Sequence, residues 1–147
     1  MENPPSFAGI YRQTVLAHGH APRGLGELPA PSRRAELHNA LCGDRVAISL
    51  QLGPQGQVID LRHQTSGCLL CTASASLMSA DVLGLDARAI AQRRQALQAG
   101  IVSGHGESLG ELAALTGVSS TPARHRCVLL PWETLQLALD AAEASAA

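Results

Sequence analysis

The sequence predicts an α+β fold: an N-terminal helix, a small three-stranded antiparallel sheet, and then several helices packed on one face of it. Three observations carry this. Val46, Ile48, Leu50 and Leu52 alternate strictly with other residues in "RVAISLQL", the mark of a half-buried strand. A second alternating run, "QVIDLRHQT", follows "GPQG", so the two runs form an antiparallel hairpin on a four-residue loop. After Gly67 the apolar period becomes helical. The 147 residues suit one domain with a single core, made of an N-terminal helix and loop (6–32), a sheet (33–66) and a helical part (67–143).

Each element has its own local cause. Ser6 is the expected cap of the first helix, with Phe7, Ile10, Tyr11 and Val15 on one face. "HGHAPRGLGELPAPS" reads as a loop. "RRAELHN" is a weaker strand in which Ala35 and Leu37 alternate, and in the hairpin's second strand Ile59 and Leu61 are expected on one face, Asp60 and Arg62 on the other. Leu70, Ala73 and Leu77 share a helix face, and Gly84 ends that run. Asp86 can cap a helix running through Ile90 and Leu97 to Gly100, followed by the connector "GIVSGHG". "SLGE", Ser108 to Glu111, has the capping-box pattern for a helix stopping near Gly117. The last helix carries Leu135, Ala138, Leu139 and Ala142 on one face, with Pro131 expected in its first turn.

Composition removes several functions. A net charge of −1 with 16% charged residues argues against an electrostatic nucleic-acid binder, and 2% aromatics leave little on which bases could stack. No basic start is followed by an apolar run, and no apolar stretch approaches the roughly 18 residues of a membrane span, so a cytoplasmic protein without a membrane partner is expected. In a reducing compartment, four cysteines suit metal ligation or thiol chemistry better than two disulfides.

Cys42, Cys68 and Cys127 all fall at element boundaries, where loops converge, and Asp44 stands two residues after Cys42 with a flexible glycine between. Three thiolates and a carboxylate can complete a tetrahedral shell, and a helix N-terminus at Cys68 favours the thiolate. Arg124 and Arg126 beside Cys127 help balance the charge. Other readings stay open at this point. A cysteine is often a small buried hydrophobe, Asp44 suits an ordinary turn, and Cys68-x-x-Cys71 at a helix start is also a redox pattern. The redox pattern expects more sheet after the motif, whereas only helices follow here.

"CGDRVAISL", "SGCLLCTASASLM" and "TGVSSTPARHRCVLLPWETL" resemble the U-type iron–sulfur assembly scaffolds, IscU and SufU, and "IYRQTVLAHGHAPRG" resembles their first helix and Pro-Arg turn. The similarity runs from about residue 7 to 142. The long stretch from Asp86 to Gly117 and the "PAR" at 122–124 are like SufU. IscU has a histidine immediately before its third cysteine, where this chain has Arg126; His125 matches no family ligand and is expected at the surface. Two residues depart from the family: Cys71 stands where serine is usual, expected to pack into the helix, and Gly19 replaces a large residue.

The resemblance implies Cys42, Asp44, Cys68 and Cys127 as ligands of Zn²⁺ or of a transient Fe–S cluster. It implies either a scaffold for a nascent cluster or a zinc-dependent sulfurtransferase that takes persulfide sulfur on Cys42 from a cysteine desulfurase. Its other partners would be apo Fe–S acceptor proteins. The alternatives are a structural zinc-binding interaction domain without sulfur transfer and a thiol–disulfide enzyme using Cys68 and Cys71.

Overall fold

The computed structural model describes residues 7–40 and 43–141, with side chains from residue 12 onward. Cys42, Ser6 and Ala142 lie outside these residues, as do the side chains of Phe7, Ile10 and Tyr11. Helix α1 (Phe7–His20) precedes strands β1 (Arg33–Asn39), β2 (Asp44–Leu52) and β3 (Val58–Ser66), and α2 (Leu69–Asp81), α3 (Ala87–Ser103) and α4 (His125–Asp140) follow, with 3₁₀ segments at Gly110–Val118 and Pro122–Arg124. The sheet is antiparallel in the order β1-β2-β3.

The alternation in β2 does what its pattern implies. Val46, Ile48 and Leu50 are buried against the helices, while Arg34 and Glu36 of β1 and Arg45 of β2 point to the other face, where Glu36 pairs with Arg45. Helix α4 lies across β1 and β2, α2 lies against β3, and α1 packs on α2. Gly19 is what lets α1 approach so closely: a Cβ there would sit 2.5 Å from Cγ of Leu69. A larger residue at this position would have to displace the Leu69 side chain and would press on the Leu69 carbonyl, 3.3 Å from that Cβ.

Five expectations need correction. The stretch read as a loop from His18 is still helical over residues 18–20, where α1 ends. In β3 the register slips between Gln51 and Leu52, so Ile59 is an extra residue without a partner. This bulge puts Val58 and Leu61 on the same inner face and turns Ile59 out to solvent at 56% exposure, so Ile59 and Leu61 do not share a face. Helix α3 does not stop at Gly100; it runs to Ser103 and ends on Gly104 in the left-handed cap position. The "SLGE" capping box does not form, because Gly110 has φ +60, which breaks the helical geometry between Ser108 and Glu111. A 3₁₀ segment capped at Leu109 forms instead, and Glu111 turns to His18 at 3.5 Å. Finally, α4 starts at His125, so Pro131 is its seventh residue and not in its first turn. A proline there has no N–H to give the carbonyl four residues back, that of Cys127.

The long segment after α3 is clamped by one side chain. Arg93 grips the Asp81 carboxylate through Nε (3.1 Å) and Nη2 (2.7 Å) and donates to the carbonyls of Ser108 (3.2 Å) and Leu109 (3.0 Å). One residue thus ties α2, α3 and the start of the 3₁₀ segment together. Arg93→Ala is expected to lower stability by about 2 kcal/mol, since several charge-assisted bonds go at a half-buried site. A urea titration followed by the fluorescence of Trp132, the one tryptophan and fully buried, measures it.

Candidate metal centre

Asp44, Cys68 and Cys127 come together from three parts of the chain. A carboxylate oxygen of Asp44 and the two Sγ atoms all lie within 4.8 Å of one another. Asp44 opens β2 and is buried; Cys127 is the third residue of α4 and buried; Cys68 is partly open to solvent. Cys68 is the N-cap of α2, where its Sγ accepts the backbone N–H of Cys71 at 3.4 Å. The sulfur therefore sits against the first-turn N–H groups, which have no partner within the helix itself. Ser74 of α2 donates to the Val128 carbonyl of α4 at 2.5 Å and so ties the helix that begins at Cys68 to the one that carries Cys127.

The separations suit a tetrahedral ion. With Zn–S near 2.3 Å and Zn–O near 2.0 Å, two such ligands stand about 3.5 Å apart across the tetrahedral angle and two sulfurs about 3.8 Å. Sγ of Cys68 and Oδ2 of Asp44 are 3.8 Å apart. Soft thiolates with one hard oxygen are a donor set for zinc or iron, not for calcium or magnesium. A fourth ligand has to come from elsewhere, and Cys42, two residues before Asp44, lies outside the described residues. Its neighbour Gly43 is exposed, with φ +73, and its N–H bonds the Asn39 carbonyl at 2.8 Å, which closes the turn between β1 and β2.

Most of the chain has known counterparts. Residues 10–139 match the NifU-like N-terminal domain. The chain belongs to that family. This NifU-like domain is 32% identical over 131 residues to the zinc-dependent sulfurtransferase SufU of Bacillus subtilis (strain 168), covering 86% of this chain and 87% of that one. It is 29% identical over 133 residues to the iron–sulfur cluster assembly scaffold protein IscU of Streptococcus pyogenes serotype M1, covering 88% and 82%. The crystal structure of a nitrogen-fixing NifU-like protein (N-terminal) from Brucella abortus superimposes with a TM-score of 0.78 at 26% identity, covering 88% of this chain and 92% of that one.

Other residues of the NifU-like domain fall into place around the three donors. Cys71 is fully buried in the apolar core and is not among the clustered donors, which agrees with packing and not with a redox role. His125 is not the surface residue expected: it is half-buried, and its Nε2 donates to the Val118 carbonyl at 2.9 Å. The 3₁₀ segment ends at Val118, seven residues before His125, so the bond spans the short connection into α4. Arg124 and Arg126 are exposed around the first turn of α4. No helix among the described residues is long and apolar enough to cross a membrane.

In the sequence Gly67 marks only the change of period, and His63 carries no assigned role. His63 is fully buried on the inner sheet face, with Nε2 donating to the Arg23 carbonyl (2.7 Å) and Nδ1 bonded to the Thr65 hydroxyl (2.8 Å). The Arg23 N–H donates to Ser76 Oγ (2.8 Å), which also bonds His18 Nδ1 (2.7 Å). The Pro-Arg turn is therefore bolted to α2 and β3 through both backbone atoms of Arg23. The alternation from Leu61 to His63 sets this histidine on the inner face, but nothing local to β3 announces that its partner there is the Arg23 carbonyl.

Proposed function

We propose that the protein is an iron–sulfur cluster assembly factor whose thiolate site, Cys42, Asp44, Cys68 and Cys127, holds zinc and accepts persulfide sulfur from a cysteine desulfurase on Cys42. The observation that supports this best is the convergence of Asp44, Cys68 and Cys127 within 4.8 Å from sequence-distant elements. The activity named for the SufU relative agrees with it.

Zinc, when bound, would keep the thiols deprotonated and hold the loop that carries Cys42 against the two helix starts. The chain's own residues do the rest. The Cys42 thiolate attacks the outer sulfur of the desulfurase persulfide; the S–S bond to the desulfurase cysteine breaks, a new S–S bond to Cys42 forms, and the desulfurase cysteine leaves as thiolate with the electron pair. Nothing is oxidised or reduced overall. Gly43 beside Cys42 is exposed, and a Cβ there would meet nothing within 4 Å, whereas Cys127 is buried, which supports Cys42 as the acceptor. Asp44 is the hard member of the set and the easiest to displace when a partner must open the site. Free thiols of this kind need a reducing compartment, hence the cytoplasm. Apo Fe–S proteins would be the eventual recipients of the sulfur.

Two measurements test this. Elemental analysis of freshly purified protein should find about one zinc per chain. Incubation with desulfurase and cysteine, followed by mass spectrometry under non-reducing conditions, should find one added sulfur on the peptide containing Cys42. Tightly held zinc with no sulfur on Cys42 would leave a structural zinc domain in place of a sulfur acceptor.

A further inference from the structure

In the β2–β3 register Arg45 pairs with Ser66, so the next position out sets Asp44 opposite Gly67. The Asp44 side chain lies in the space where a Gly67 side chain would be. A Cβ at Gly67 would stand 2.7 Å from Cγ and 3.0 Å from Cα of Asp44, and closer still to Oδ1. Real Cβ atoms do not approach that near, and the obstacle is a short side chain with nowhere to go, since the next backbone N–H, that of Cys68, holds Oδ1 at 2.8 Å. The other oxygen, Oδ2, is the one facing Sγ of Cys68.

We propose that Gly67 is a positioning residue, bare so that the Asp44 carboxylate can rest against the Gly67–Cys68 peptide with Oδ1 anchored and Oδ2 alone presented beside the Cys68 thiol. Asp44 is then a one-oxygen donor aimed by the backbone of the strand opposite it. The consequence for an ion rests on the metal site proposed above; the steric relation between residues 44 and 67 does not. The competing explanation is that Gly67 serves only the backbone conformation at the β3–α2 junction. The backbone at Gly67, with φ +157, itself favours glycine, and that cost is the same whatever residue 44 is; the part of the clash that comes from the carboxylate goes when the carboxylate is removed, leaving the 3.0 Å approach to the residue-44 Cα.

A double-mutant cycle on the whole chain separates the two: wild type, Gly67→Ala, Asp44→Ala and the double variant. Thermal unfolding is followed by circular dichroism with the metal stripped by excess chelator. Each protein is then loaded with one equivalent of Zn²⁺ and challenged with a competing chelator, and the retained zinc is measured. Gly67→Ala should lower the melting temperature by roughly 5–10 °C in the wild-type background and by less than about half of that when Asp44 is already alanine. Each single variant should retain zinc about tenfold less well, and the double variant no worse than Asp44→Ala. Equal temperature shifts in the two backgrounds would overturn the proposal, and so would a double variant that fails to fold when Gly67→Ala alone fails to fold. If instead Asp44→Ala holds zinc as well as wild type, the metal-site assignment falls, while the metal-free melting temperatures still decide the role of Gly67.

Discussion

Cys42→Ala is expected to reduce desulfurase stimulation to the rate seen without the protein and to leave no sulfur on the peptide that contains residue 42. The loss should be near complete, because the other thiols are buried or, at Cys68, held at a helix cap. Cys71 is fully buried, Cys127 is buried, and Cys68 is engaged at the N-cap of α2 beside Asp44. The fold should survive. Pairing between β1 and β2 closes at Asn39 and Asp44, so no ladder pair involves the substituted position. An alanine outside the paired strands usually changes stability by less than about 0.5 kcal/mol. The measurement is cysteine-dependent sulfide or alanine production by a desulfurase, with and without the variant, alongside its circular dichroism spectrum. Stimulation equal to wild type would remove Cys42 from the acceptor role.

His63→Ala should cost about 3 kcal/mol of stability and flatten the pH dependence on the acid side of neutrality. The cost has two parts: a cavity on the inner face of the sheet, and an Arg23 carbonyl and a Thr65 hydroxyl that lose their shared partner. The pH effect follows from burial. Desolvation lowers the His63 pKa below its ordinary 6.5, against the smaller opposing pull of the Arg23 carbonyl. The unfolded chain therefore takes up the proton first as pH falls through about 6.5, and unfolding is favoured until the folded-state pKa is reached. In that window His63 contributes a loss of up to about 1.4 kcal/mol per pH unit; above it the residue is neutral in both states and contributes none. Urea unfolding at pH 7.5 and 5.5, read by Trp132 fluorescence, should show a steeper loss in wild type than in His63→Ala. Equal losses in the two proteins would mean that the buried imidazole is not responsible.

The two histidines mark where sequence reasoning runs out. Both were visible as letters, yet what each does depends on a carbonyl outside its own element: that of Arg23, 40 residues before His63, and that of Val118, seven residues before His125 across the connection into α4. The phase of β3 was misjudged for a related reason. A bulge is a property of two strands in register, and one strand's alternation does not reveal that Ile59 has no partner. The capping box at Ser108–Glu111 failed through one torsion, at Gly110, which the pattern of residue types does not encode.

The sequence alone determined what local chemistry controls: the alternation that makes β2, the Asp86 cap whose side chain accepts from Ala89 N at 2.9 Å, the order of helix and strand, and the motifs around Cys42, Cys68 and Cys127 that match the NifU-like domain. Tertiary structure decided what depends on two distant segments at once. It set Asp44 over the bare Gly67, gave Oδ1 to the Cys68 N–H, and brought Cys127 within 4.8 Å of both. The reason is range. Caps and periodicity act within a turn or two of the chain, whereas an ångström-scale fit between residues 44, 67 and 127 exists only after the sheet and helices have packed.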